Sequence, residues 1–421
     1  MRVLIVSPHF PPRNTIASLR VGKFAEYLSK DGCSIRVVTS DVDGELHEQA
    51  WSPLDDANVL RVHDVAAASR ARWRRVDGYC RGPLGSWRRR YRKIRSAALS
   101  RLSFPDEQIW WAASVARSHL TGDGWVPDII LASGPPFSTF IAARALARRL
   151  GVPWVADYRD LWTLSSYYPR GRGRRLLESG LEHRLIRDAA AASTVSRPLM
   201  RGLGTIYSGQ IAVVMNGYEP RAHTYQSLGD VAMDGPLRVL YCGEIYPKKR
   251  DPSPLFQALA DMRLSREEVR VEFYGASVDS AAREADKYGV GHMVTASGRV
   301  SHAESLSLQD GADILLLLLW NDPREEGVHS GKLFEYLGAR KPILMLGYEG
   351  GVAADLIRSR QAGVVANDAA SLAVALAAWL AKKRAGTLKR LDPKVASGLT
   401  RHEQTRVMQQ LLMSHVRSRP S

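Results

Sequence analysis

The chain has 421 residues, 45% of them apolar and 24% charged, with a formal net charge of +16 and three cysteines. That length exceeds one ordinary core and implies two or three domains, while the composition excludes a disordered chain. Cys33, Cys80 and Cys242 stand too far apart for a disulfide framework or a zinc spacing, so a reducing compartment is the default.

The first residues, Met1-Arg-Val-Leu-Ile-Val-Ser-Pro8, form a short apolar run that Pro8, Pro11 and Pro12 interrupt too soon for a signal-peptide core. Strands are expected at residues 3–7, 34–39, 59–63, 129–133, 154–157, 193–196 and 211–215. Amphipathic helices are expected at 17–30, 139–150 and 174–188 between them. Strand–helix alternation of this kind predicts a parallel sheet with helices on both faces. Residues 227–236 are polar and contain Gly and Pro, as a linker does. The pattern then restarts, with strands expected at 238–241, 270–274, 314–319 and 343–346 and helices at 253–262, 303–310 and 332–340. The reading is therefore an α/β protein with two Rossmann-like doubly wound domains facing a cleft. They are placed at residues 1–225 and 236–400, and a last helix over 401–421 packs back on the first. Ile314–Trp320, the most apolar run, spans about a third of a bilayer. It reads as a buried strand, so any membrane contact is expected to be peripheral.

The positive charge concentrates between Arg70 and Arg101, where arginines are interleaved with Trp73, Tyr79, Trp87 and Tyr91 and opposed only by Asp77. Such a segment implies an anionic partner. No nucleic-acid module accompanies it, so nucleic acid is not expected. Docking to an anionic membrane surface or to a lipid-linked glycan stands beside a solvated basic excursion.

Ligands of doubly wound sheets bind at the carboxyl ends of the strands, and the polar motifs cluster there. The sharpest is Gly327-Val-His-Ser-Gly-Lys-Leu-Phe-Glu-Tyr-Leu-Gly-Ala-Arg-Lys-Pro342. It reads as a loop entering a helix at Ser330. Gly331 permits close approach of a ligand, the free N–H groups face an anion such as a diphosphate, and Lys332 adds charge in the same turn. Glu335 lies one turn further on, where a carboxylate accepts from a ribose diol or pairs with Arg340. Tyr241-Cys-Gly-Glu-Ile-Tyr-Pro-Lys-Lys-Arg-Asp251 gathers Lys248, Lys249 and Arg250 just after a strand end. Fixed cations there suit a leaving diphosphate without a metal. Asp157, Arg159 and Asp160 end the fifth expected strand, and they serve as site groups or as an Asp–Arg brace. Asp41-Val-Asp43 imitates a metal motif but lacks a third ligand, and HExxH, GxSxG and P-loop motifs are missing from the sequence.

With these residues in view, the chain resembles the GT-B fold retaining glycosyltransferases of family 4 (glycosyl transferases group 1), in motifs running in order from Val3 to about Leu380. That family carries a Glu-x7-Glu helix motif, whose second glutamate matches Glu335. Its first position falls on Gly327, with Glu325 and Glu326 just before it. The resemblance implies transfer from a nucleotide-sugar donor to a glycan or lipid-linked acceptor, with retention and no metal or cofactor. It implies Lys249, Arg250, Ser330, Gly331 and Lys332 at the donor diphosphate, Glu335 at the ribose and Glu326 at the donor sugar. Gly275 and Arg299 fall in the nucleotide-base region, and Asp157, Arg159 and Asp160 are the catalytic candidates. Ser7-Pro-His-Phe-Pro-Pro12 followed by Arg20 matches the family's opening, placing His9 and Arg20 at the acceptor or cleft loop. Asn216-Gly217 matches the end of its first domain, and polysaccharide biosynthesis at the cytoplasmic face is the implied setting. A nucleotide-sugar epimerase and a non-catalytic subunit of the same fold are the alternatives.

Overall fold

The computed structural model describes residues 1–41, 51–63, 103–118, 124–220, 235–246 and 249–416. The Arg70–Arg101 segment, most of the 227–236 linker, Asp43 and Lys248 therefore lie outside the described residues. The chain divides into two compact units, one of residues 1–215 with 402–421 and the other of residues 216–401.

The first unit is built on a seven-stranded parallel sheet. Its strands are β1 (Arg2–Val6), β2 (Ser34–Ser40), β3 (Val59–Val62), β4 (Ile129–Gly134), β5 (Trp154–Tyr158), β6 (Ala191–Thr194) and β7 (Gln210–Val213), in spatial order β3-β2-β1-β4-β5-β6-β7. Register pairs Val3 with Ile35 on one side and Ile129 on the other. The central strands are buried on both faces, so they read as continuous apolar or small-residue runs; every residue of β4 is buried. One face packs Trp111, Phe140, Trp154 and Leu185, and the other packs Val21, Phe24, Leu28 and Leu131.

Local chemistry sets the helix ends. Thr15 caps the Ile16–Lys30 helix by accepting from the Ser18 N–H at 3.1 Å. The Ser138–Leu150 helix stops at Gly151, whose φ of 69° lies in the left-handed region. The final helix, Arg401–Met413, inserts Met408, Leu411 and Leu412 among Val3, Leu28 and Val37. His402 stacks on Tyr27 with centroids 4.7 Å apart and meets Asp31 at 2.9 Å.

The second unit carries six parallel strands: β8 (Leu237–Cys242), β9 (Val269–Tyr274), β10 (Val294–Ser297), β11 (Ile314–Leu318), β12 (Ile343–Leu346) and β13 (Gly363–Val365). Their order is β10-β9-β8-β11-β12-β13. In both sheets the order reverses beside the first strand, between β1 and β4 and between β8 and β11. At those switch points the helices diverge and leave a crevice at the carboxyl ends.

The second unit begins at Asn216 rather than near 236 for a visible reason. Tyr218 donates its N–H to Leu399 at 3.1 Å and accepts from Arg401 at 3.0 Å, tying residues 216–218 to the end of the second unit. Gly217 serves this crossing by close approach. A Cβ there would lie 2.6 Å from the Arg401 nitrogen.

Candidate functional site

In the second unit the crevice at β8 and β11 collects the cations. β8 ends at Cys242-Gly243, and the Gly331–Ala339 helix starts beside it after Ser330. Ser330 is extended and makes no side-chain capping bond, so the helix's first turn presents backbone N–H groups. Lys332 folds over β8: a Cβ on Gly243 would lie 2.2 Å from its Nζ, and the ammonium stands 5.5 Å from the Tyr241 ring. Burial, reinforced by the nearby Arg250 guanidinium, pushes the Lys332 pKa down to about 8. Arg250 donates to the Glu244 carbonyl at 2.8 Å and lies over Tyr246 at 4.6 Å. The Tyr241 hydroxyl also donates to that carbonyl, at 2.8 Å.

A second cluster adjoins these residues. Trp320 follows β11 and carries Lys249 at 4.4 Å and Arg324 at 4.3 Å over its ring. Arg324 forms a two-pronged pair with Asp322, at 2.8 Å for each bond. Glu335 is held from the Gly331–Ala339 helix between His302, at 3.1 Å, and Gln309, at 3.5 Å. Burial raises its pKa, but the bond and charge of His302 outweigh that and keep the carboxyl below its usual range. Arg340, the partner offered from sequence, donates instead to the Leu391 carbonyl at 2.8 Å. Gly275 abuts β8, where a Cβ would stand 2.1 Å from the Gly243 oxygen, and its φ is 142°. Arg299 and Glu326 are exposed.

The two glycines yield a paired prediction. Gly275→Ala meets backbone at a left-handed φ and should cost about 2–4 kcal/mol in urea unfolding. Gly243→Ala meets chiefly the flexible end of Lys332, with the Tyr241 hydroxyl at 3.1 Å, so stability should change by under about 1 kcal/mol. The displaced ammonium should instead weaken nucleoside-diphosphate binding about tenfold, measured by calorimetric titration.

In the first unit the structure separates the expected site residues. Asp157 is fully buried and Arg20 nearly so. Arg20 pairs with both Asp157 oxygens, at 2.9 and 3.1 Å, and donates to the carbonyls of Val214 at 2.9 Å and Met215 at 3.2 Å. The hydroxyls of Ser133 and Ser193 donate to the same carboxylate at 2.7 and 2.8 Å. Burial pushes Asp157 up, yet Arg20 and the two hydroxyls outweigh it and hold the carboxyl low. This is a brace tying β4, β5 and β6 to the first helix. The sequence reading sets Asp157 among the catalytic candidates and Arg20 at the acceptor or cleft loop; in the structure the two side chains are buried and paired with each other.

Arg159 and Asp160 follow β5. Arg159 is half-buried and grips the β4 turn: its backbone N–H donates to Gly134 at 3.0 Å, its Nε to the same oxygen at 3.2 Å, and another guanidinium nitrogen to Pro135. Asp160 is exposed. His9, beyond β1, approaches Arg13 at 3.3 Å. Burial, with Arg159 and Arg13, lowers its pKa to about 4, so the ring is neutral at physiological pH. An unfolded His9 protonates near 6.5, so the unfolded state binds more protons between that value and about 4. Stability should therefore fall as pH drops through this window. His9→Gln should remove on the order of 2 kcal/mol of that loss, read from urea midpoints at pH 7 and pH 5.

Trp320, Arg324, His302, Gln309 and Glu244 adjoin these second-unit residues but were not singled out from sequence, and Gly243 reads there as the strand end. A Trp directly after an all-apolar strand was the available signal. Among the described residues no group of His, Cys, Asp and Glu could hold a metal ion, and no helix is long and apolar enough to cross a membrane.

Residues 17–217 match the profile of the glycosyl transferase 4-like domain. Among proteins of curated function none matches the sequence. Similar solved structures include sucrose-phosphate synthase from Thermosynechococcus elongatus, at 16% identity and a TM-score of 0.63 over 98% of each chain. Anabaena Alr3699/HepE in complex with UDP matches at 14% identity and 0.61, over 98% of this chain and 100% of that one. WaaG, a glycosyltransferase involved in lipopolysaccharide biosynthesis, matches at 13% identity and 0.55, over 98% of this chain and 99% of that one. Residues 17–217 are thus similar to the glycosyl transferase 4-like domain, and the two parallel doubly wound sheets share the GT-B fold of these solved structures.

Proposed function

We propose that the protein transfers a hexosyl group from a nucleoside-diphosphate sugar to an acceptor hydroxyl, with retention and without metal, in glycan or polysaccharide assembly. The observation that carries this reading is the meeting of Lys332, Arg250 and an uncapped helix start at the carboxyl end of β8. An anion-seeking crevice of this kind suits a diphosphate, and the similar Anabaena protein holds UDP.

In the proposed reaction the acceptor oxygen bonds to the anomeric carbon as the bond from that carbon to the diphosphate oxygen breaks. The bonding pair leaves with the nucleoside diphosphate. The acceptor proton passes to the departing phosphate, so no dedicated base is needed. Lys332, Arg250 and Lys249 stabilise the charge developing on that leaving group, with the N–H groups at Ser330 and Gly331 beside them. Glu335, aimed by His302 and Gln309, accepts from the ribose hydroxyls. Glu326 lies toward the donor sugar, and Arg299, with the turn at Gly275, toward the base. In the first unit His9, Arg159 and Asp160 remain the groups proposed for the reacting side, while Asp157 and Arg20 brace the sheet that positions them.

The test is incubation with UDP-, GDP-, dTDP- and ADP-sugars in the presence of a chelator, following release of nucleoside diphosphate and the anomeric proton of the product by NMR. Acceptor-dependent release with the donor's anomeric configuration is expected. Interconversion of the sugar without acceptor would point to an epimerase, and inertness toward every donor to a non-catalytic subunit.

A further inference from the structure

The first unit has a second concavity, away from the residues at the carboxyl ends of its strands. A cavity of about 580 Å³ is lined by Gly180, His183, Arg184, Arg187, Tyr207 and Ser208, with Ile206 beside them. These residues come from the end of the Arg172–Ile186 helix and from the approach to β7. They therefore stand at the amino ends of β6 and β7, opposite the edge that carries Arg159.

Its charge is one-sided by construction. The helix contains two acidic residues, and both point inward: Glu178 is 1% exposed and Glu182 0%. Glu178 accepts from Trp162, Arg170 and Arg174, and Glu182 from Thr163. Asp188, the next carboxylate along the chain, is taken by Arg144 and Arg148 at 2.7 Å each. The charged side chains left on the outer face are Arg172, Arg184, Arg187 and His183, while Arg175 turns away to donate to the Thr163 carbonyl at 2.6 Å. Arg184 and Arg187 form no ion pair among the described residues.

The same face is apolar one to two turns nearer the helix start. Leu176 is 76% exposed and Leu177 68%, although both are large aliphatic residues in a regular helix. They lie roughly 5–12 Å along the axis from Gly180 and Arg184. Adjacent exposed leucines beside a basic hollow match an anionic headgroup with an apolar body, and they match neither a soluble phosphate nor a nucleic-acid backbone.

We propose that this face docks on an anionic phospholipid bilayer. The cavity receives a headgroup phosphate between Arg184 and Arg187, and Leu176 and Leu177 enter the acyl boundary. Docking there holds the protein by the edge opposite Arg159 and His9, so those residues stay open while the protein is attached. None of these residues belongs to the Arg70–Arg101 segment, which lies outside the described residues.

The experiment is co-sedimentation of the full chain with phosphatidylcholine vesicles, with and without phosphatidylglycerol. Wild type, an Arg184→Ala/Arg187→Ala variant and a Leu176→Ser/Leu177→Ser variant are compared, with thermal melts to confirm folding. All four side chains are exposed, so the melts should match wild type. Binding should require phosphatidylglycerol and fall about thirtyfold in the arginine variant, a fivefold effect for each basic residue. The leucine variant keeps every charge and should still lose several-fold. Wild-type binding by both variants would overturn the proposal, since attachment would then arise elsewhere. Protection of the cavity by inorganic phosphate, without vesicle binding, would also overturn it in favour of a soluble anion.

Discussion

Asp157→Ala should destabilise the first unit by about 3–5 kcal/mol, the largest effect expected of any buried polar group described above. The truncation leaves the Arg20 guanidinium buried with no counter-charge, and it strands the Ser133 and Ser193 hydroxyls that donate to the carboxylate. Replacing both charges, as Arg20→Met with Asp157→Leu, removes the uncompensated ion and should recover much of the loss. Urea unfolding of the two variants separates a brace from a catalytic acid. A brace predicts a lower midpoint for the single variant and partial recovery in the double. A catalytic Asp157 predicts an unchanged midpoint and lost turnover. The folded carboxyl is held below its unfolded value, so its contribution is present above the unfolded pKa and is lost as pH falls through the folded one.

Lys332→Met should weaken binding of a nucleoside diphosphate by roughly 30- to 150-fold, or about 2–3 kcal/mol, by removing a charge-assisted contact from a partly dehydrated site. The unliganded protein holds the Lys332 pKa down at about 8, by burial and by Arg250. A diphosphate beside it would raise that value again. Binding near pH 8 should therefore take up protons, and affinity should decline as pH rises through about 8. Calorimetry in buffers of different ionisation enthalpy reads the proton uptake directly. In Lys332→Met the uptake should vanish along with most of the affinity.

Much of this architecture is legible in the sequence because a buried parallel strand leaves a dense apolar signature. Ile314–Leu318 and Ile343–Leu346 are all buried, and their sequences contain no polar residue. Elements with thinner signatures are hidden. The Asp279–Lys287 helix buries only Ala281 and Ala285, too narrow a stripe to mark it. The Ala369–Arg384 helix is rich in alanine on every side, so its period is blurred although Leu372, Leu376 and Trp379 are core. β13 has three residues with Gly363 first, and it forms because β12 offers a partner.

Site legibility follows the same division. Lys332 and Glu335 are local to one helix start, so spacing alone places them. The Arg20–Asp157 pair spans 137 positions and becomes visible only when β5 lies beside the first helix. Trp320 gains its two cations from opposite directions along the chain, Lys249 from after β8 and Arg324 from after β11.

The central claim is that the crevice at β8 and β11 is a nucleotide-sugar donor site. A thermal-shift panel of UDP, GDP, dTDP, ADP and CMP, run on wild type and on Lys332→Met and Glu335→Ala, tests it most directly. At a hundred times its dissociation constant a ligand adds about 2.7 kcal/mol of stability. The account predicts that one nucleoside diphosphate raises the melting temperature of wild type and that both variants lose the rise. A panel in which no nucleotide stabilises wild type, or in which the variants respond as wild type does, would contradict it.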